Sequence, residues 1–188
     1  MGYVLRAATL ADRPALRDLI ELSARVLGGR DYRADQVEAA LRGAFGVDTT
    51  LIEDGTYFVA ELPGPEAGLA AGTLVGCGGW SRRRTLFGGD SHARRDAALL
   101  DPAAVAARIR AFFVHPGYER RGVGRALLAH CEQAARAAGF RRFELMGTLP
   151  GVRLYEALGY SKAPLVHYPV GDGVTIEFVP MTKQADHG

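Results

Sequence analysis

The sequence predicts one mixed α/β domain, a largely antiparallel twisted sheet with helices on both faces. Three observations carry this expectation. The 188 residues are 48% hydrophobic and 23% charged, which suits a single core burying roughly 70% of the unfolded-chain surface. Strand-like and helix-like patterns alternate along nearly the whole chain. No repeat or composition break marks a second domain, so residues 1–183 are expected to form one unit and 184–188 (QADHG) a frayed tail.

Tyr3 to Ala7 reads as a short strand. Thr9, with Asp12 three residues on, makes a capping-box start for a helix through Leu16, Leu19, Ile20, Ala24 and Leu27, and Gly28-Gly29 stops it. A second helix is expected from Arg33 to Phe45, with Val37, Ala40, Leu41 and Ala44 on one face. TYFVAEL (56–62) and GTLVGCGGW (72–80), separated by the turn-rich PGPEAGLAA, predict two antiparallel neighbours. Residues 81–107 carry Arg82, Arg83, Arg84, Arg94 and Arg95 without lasting periodicity, and read as a long surface loop with at most one helical turn.

From Arg108 the pattern sharpens into strand RIRAFFV, loop HPGYERR, a helix from about Gly122 to Ala138, strand RRFELM and a helix around Val152 to Leu158. Both helices end alike, AAGF at 137–140 and ALGY at 157–160, with glycine at the left-handed position and an aromatic after it to pack back. Leu165 to Val170 and Val174 to Met181, joined across Gly171-Asp172-Gly173, predict a closing hairpin.

Composition narrows the function. Twenty-three basic against 21 acidic residues give a net charge of +2, too balanced for a nonspecific nucleic-acid binder. Cys77 and Cys131 form neither a CxxC nor a Cys/His cluster, so no metal site is expected and a reducing cytoplasm is the simpler setting. No stretch approaches the ~18 uninterrupted apolar residues of a membrane span. The start MGYVLRAATLADRP lacks a leader's apolar core, and Arg6 stands where myristoylation wants a small hydroxyl residue.

The chemistry concentrates in HPGYERRGVGRALL. Gly122 and Gly124 open a helix beside Arg120, Arg121 and Arg125. Amides at a helix start lack intrahelical partners, the macrodipole adds positive charge, and glycine admits close approach, so this is an anion site suited to pyrophosphate. A solvated tight loop is the plainer alternative. A Walker loop is excluded because Arg125-Ala126 replaces Lys-Ser/Thr. A dinucleotide fingerprint needs glycine at 127, which is Leu127, although Glu144 lies where a ribose-binding acid would. Gly76 to Gly78 forms another GxG, but no helix start follows Trp80.

The run V-x-P-x-Y-x-x-x-G-x-G-x-x-L-L at Val114 to Leu128, followed by LYEALGY at 154–160, resembles the GNAT-type acetyl-CoA-dependent N-acetyltransferases. The resemblance is specific over roughly residues 108–160, while the element order agrees over nearly the whole chain. It implies a sheet splayed near its centre, with Phe112, Phe113 and Val114 offering backbone to the pantetheine arm of acetyl-CoA. It also implies that backbone amides over Arg120, Arg121, Gly122, Val123, Gly124 and Arg125 hold the pyrophosphate.

By the same resemblance Tyr155 donates a proton to the departing thiolate, which a phenol near pKa 10 can do at neutral pH. A core aromatic is the competing reading. Two positions depart from the family pattern: Glu119 stands where Gln or Arg is common, and Thr148 where an Asn is frequent. The base that strips an acceptor ammonium is not singled out. Glu144 and His115 are candidates, with Asp90 and His92 in the long loop. His115 precedes Pro116 and serves equally to shape the loop, Glu144 equally to face solvent, and Cys131 reads as core.

The expected reaction is acetyl transfer from acetyl-CoA to a primary amine of a small molecule or peptide, by direct attack. WSRRRTLFGGD is a candidate for binding a carboxylate or phosphate of the acceptor, or the adenosine 3′-phosphate, against a solvated basic loop. Rival readings are a non-catalytic acyl-CoA-binding or regulatory module and, at lower weight, a dinucleotide-binding domain. Homodimers are common in the resembled family, and no residue pattern here marks an interface.

Overall fold

A computed structural model of the chain describes residues 2–92 and 96–185. The strands are β1 (Val4–Ala7), β2 (Tyr57–Glu61), β3 (Leu74–Ser81), β4 (Ala107–Val114), β5 (Arg142–Thr148), β6 (Ser161–Lys162), β7 (Val166–Gly171) and β8 (Val174–Gln184). The helices are α1 (Arg13–Val26), α2 (Ala34–Leu41), α3 (Thr49–Glu53), α4 (Val123–Ala137) and α5 (Val152–Ala157). One sheet runs in the order β1-β2-β3-β4-β5-β8-β6, with β7 also on β8. Every pairing is antiparallel except β4 with β5. The mixed α/β architecture predicted from the sequence is the one observed.

Local signals act as read. The Asp12 carboxylate accepts from Thr9 N at 2.7 Å and Thr9 Oγ1 at 3.0 Å, fixing a short 3-10 turn ahead of α1. The α1 stripe Leu16, Leu19, Ile20 and Ala24 is buried, with Val37 and Phe178, on one face of the sheet. On the opposite face α4 buries Val123, Leu127, Leu128, Cys131 and Ala135 with Phe140 and Phe143. Gly139 and Gly159 take φ of 96° and 89°. The next amides, Phe140 N and Tyr160 N, return to Ala135 O and Tyr155 O, the bonding of a left-handed helix end. Asp172 and Gly173, both at positive φ, make the two-residue turn of the closing hairpin.

Four details differ from expectation. Helix α2 stops at Leu41 because the chain coils back, with Phe45 N on Ala40 O at 2.8 Å, and α3 follows unannounced. The loop after β3 is tied across its width by an Arg83↔Leu99 bridge and by paired bonds between Thr85 and Asp96. Strand β6, two residues long, is too short to show a period. The C-terminal strand continues through Gln184, and buried Ala185 donates its N–H to Arg141 O at 2.8 Å, so residues 184 and 185 are not frayed. Residues 186–188 of the expected tail lie outside the described residues.

Candidate active site

The centre of the sheet opens because β4 and β5 pair only at Ala107↔Phe143 and Arg108↔Glu144. Beyond Arg108 the β5-facing edge of β4 has no strand partner among the described residues. A bulge then re-phases the strand. Gly79 pairs with Arg110 and Cys77 with Phe113, so Ala111 and Phe112 together oppose the single residue Gly78. Ala111 sits at φ 59°, a left-handed conformation that costs an alanine about 1–2 kcal/mol. Before the bulge Ala107 and Ile109 face the α4 core; after it Phe112 and Val114 do, while Ala111 and Phe113 turn to the α1 side.

The result is an open cleft between the diverging strands. Ile109 to Phe113 form one wall and Leu145, Met146 and Thr148 the other, with Tyr155 and Phe178 closing it. Tyr155, only 8% exposed, packs edge-on to Phe112 with ring centroids 6.4 Å apart. Burial pushes its phenol well above the ordinary tyrosine range, so the hydroxyl stays protonated at neutral pH. Thr148, standing where the resembled family often has Asn, also lines the cleft.

Past Val114 the strand runs into the loop before α4. Arg120 and Gly122 both take positive φ, at 60° and 84°, a backbone form from which anion-binding nests are built. Among the described residues Arg120, Gly122, Val123, Gly124 and Arg125 N–H find no backbone acceptor outside helix α4, and the first turn of α4 supplies none. Gly124 is glycine for packing as well: a β-carbon there would meet Leu154 Cδ2 at 2.9 Å. The Arg121 amide, expected with its neighbours at the pyrophosphate, instead donates to Tyr118 O at 3.3 Å, and its side chain lies over the Tyr118 ring at 4.9 Å and pairs with Glu66 at 3.3 Å. Arg120 and Arg125 are exposed, with no carboxylate partner among the described residues.

Glu119, the acid that departs from the family pattern, is taken up by Arg30. That side chain donates to both of its oxygens, at 3.0 and 2.8 Å. The charge of Glu119 is thereby paired from the turn after α1. Arg30 is a contributor that sequence reading missed, since 89 positions separate the two residues and no motif links them.

The proposed bases do not converge on the cleft. Glu144 is ion-paired with Arg108 at the closed end of the splay and does not line the opening. His115 Nδ1 accepts from Gly117 N at 3.1 Å, shaping the loop, and partial burial lowers its pKa. Asp90 accepts from Thr49 N at 2.8 Å and from its hydroxyl. The His92 ring packs on Phe87, centroids 5.1 Å apart, with Tyr168 Oη 3.5 Å from its Nε2.

Two arginines of the long loop meet carboxylates, while Arg82 is exposed. Arg83 grips Asp54 at 2.6 and 2.7 Å, and Arg84 lies 3.9 Å from Asp96. Arg94 and Arg95 lie outside the described residues. Cys77 and Cys131 are buried free thiols, and burial raises the pKa of both. Gly76 and Gly78 are packing glycines: β-carbons there would meet Val123 Cγ1 at 2.4 Å and the Phe112 ring at 2.6 Å. Among the described residues no cluster of His, Cys, Asp and Glu is arranged to hold a metal, and no helix is long and apolar enough to cross a membrane.

Residues 30–160 match the family model described as the acetyltransferase (GNAT) family. No curated protein sequence matches the chain significantly. Among solved structures, the fold resembles a GCN5-related N-acetyltransferase from Rhodopseudomonas palustris, with TM-score 0.68 and 20% identity, over 98% of this chain and 96% of that one. It also resembles the PaiA N-acetyltransferase of Thermoplasma acidophilum, solved with coenzyme A, at TM-score 0.63 and 16% identity over 98% and 99% of the two chains. YncA of Salmonella typhimurium, solved with acetyl-CoA, gives TM-score 0.61 and 18% identity over 100% and 96%.

Proposed function

The chain belongs to the acetyltransferase (GNAT) family, and we propose that it moves an acetyl group from acetyl-CoA to a primary amine by direct attack, with no covalent enzyme intermediate. The observation that carries this reading is the unpaired edge of β4, which leads into a cradle of amides lacking backbone acceptors at the start of α4. An extended arm rich in amides followed by a diphosphate matches that sequence of surfaces. The coenzyme A and acetyl-CoA bound to PaiA and YncA support the choice of donor.

In this reading the edge of β4 at Phe112, Phe113 and Val114 pairs with pantetheine amides as a strand would. The amides of Arg120 and of Gly122 to Arg125 hold the pyrophosphate, and the exposed Arg120 and Arg125 add charge beside them. The lone pair of a neutral amine forms the new C–N bond and the C–S bond breaks. Tyr155 gives its proton to the leaving sulfur and regains one from solvent, while the surplus proton on nitrogen leaves to water. Its raised pKa supports this role, because an acid must be protonated before the step.

Release of coenzyme A thiol from acetyl-CoA, followed with and without a broad panel of amines, tests the reading. Amine-dependent release is expected. Binding of acetyl-CoA without turnover of any amine would instead mark a non-catalytic module.

A further inference from the structure

On its α1 side the cleft is lined by aromatic rings. Phe45 stands edge-on to Phe113 and Phe178, with centroids 5.7 and 6.3 Å away, and Phe87 lies 5.2 Å from Phe178. All four rings line the opening between β4 and β5. No carboxylate, lysine or histidine is among the described residues that line it. Its one permanent charge, Arg110, is 5% exposed. Its guanidinium is held by Asp48 at 2.5 Å and by the carbonyls of Thr85 and Gly88 at 2.8 and 2.5 Å.

Resting on the acetyl-transfer reading above, we propose that the acceptor is a small aromatic monoamine without a carboxylate, taken into the cleft in its uncharged form. An ammonium entering this site would lose water and gain no counter-charge, so burial shifts its equilibrium toward the neutral amine that attacks. That removes the need for a carboxylate base, of which none is among the described lining residues. A second amine or a carboxylate on the acceptor would be buried unpaired, which selects against polyamines and amino acids. The surrounding ring edges and faces suit an aromatic body, which packs edge-to-face or offset against such neighbours.

The test compares kcat/KM for phenethylamine and aniline with that for spermidine, free lysine and glutamate at saturating acetyl-CoA. The aromatic pair should exceed the polar set by about 10²-fold or more. The acid limb of kcat/KM should fall at the ammonium pKa of the acceptor, and so be absent near neutrality for aniline. Phe87→Ala should raise KM for phenethylamine about tenfold while leaving that for acetyl-CoA unchanged. Faster turnover of spermidine, lysine or glutamate overturns the proposal. So does failure of both aromatic amines while acetyl-CoA binding is intact by calorimetry. Absence of acetyl-CoA binding would overturn the underlying reading instead.

Discussion

The ring of Phe112 lies over the bare backbone of Gly78, where a β-carbon would stand 2.6 Å from the ring's Cζ. Gly78 is also the single β3 residue opposite the bulge of β4. The glycine therefore leaves room for the ring that the bulge turns toward Tyr155. Gly78→Ala forces overlap in a packed layer, at a cost of about 1–3 kcal/mol, lowering the unfolding midpoint by about 2–10 °C. Calorimetry should show this drop, and in a Phe112→Ala background the added cost of Gly78→Ala should largely disappear. An unchanged midpoint would mean that the ring has another place to go.

Tyr155→Phe keeps the ring against Phe112 and Tyr160 and removes only the hydroxyl. Turnover should fall by about 10²-fold or more, with acetyl-CoA affinity unchanged. The sign of the pH effect follows from burial: the folded-state pKa lies above the ordinary 10.0, so the acid form persists through the alkaline range. The rate of the unaltered enzyme should show no loss assignable to this group between pH 8 and about pH 10. Turnover equal in the variant would return Tyr155 to a purely structural place in the core.

Arg30 and Glu119 form an exposed pair whose interest is positional rather than energetic. Arg30→Ala leaves the Glu119 charge uncompensated one residue before the amide cradle, and acetyl-CoA affinity should fall on the order of threefold at low salt. Glu119→Gln in the same chain should restore it. At high salt the difference should vanish. A loss that persists in the double variant would contradict the electrostatic account.

Asp12 is held by Arg6, which also pairs with Glu61. The Arg6 hydrogen bond is the main cause lowering the Asp12 pKa from 3.8 to about 2, with Thr9 contributing. A depressed carboxylate stabilises above its unfolded pKa and loses that contribution as pH falls through the folded one. Denaturant midpoints should therefore decline between about pH 4 and pH 2, and Asp12→Asn should flatten that decline.

Features set by neighbours in sequence were legible in advance. The Thr9 and Asp12 start, the two glycine-aromatic helix ends and the Asp172-Gly173 turn each depend on a few adjacent residues. The amide cradle before α4 was legible for the same reason, with Gly122 and Gly124 declaring it. The bulge was not, because nothing in RIRAFFV marks Ala111 for a left-handed backbone; the pairing with β3 imposes it. Nor did the sequence reveal that Glu144 would be drawn to Arg108, or Glu119 to Arg30. Those partners meet only after the sheet and α1 are assembled. The GxG at Gly76 and Gly78, suggestive of a nucleotide turn when read alone, proves to be space for Val123 and Phe112.

The opened edge of β4 and the amide cradle of α4 together offer the surface proposed to bind acetyl-CoA. Isothermal titration of the protein with acetyl-CoA, CoA, NAD and ATP, side by side at one salt concentration, tests it most directly. Saturable one-to-one binding of the two CoA species is expected, and none of NAD or ATP. Binding of NAD or ATP with no heat from either CoA species would contradict it and reassign the cradle to a different phosphate ligand.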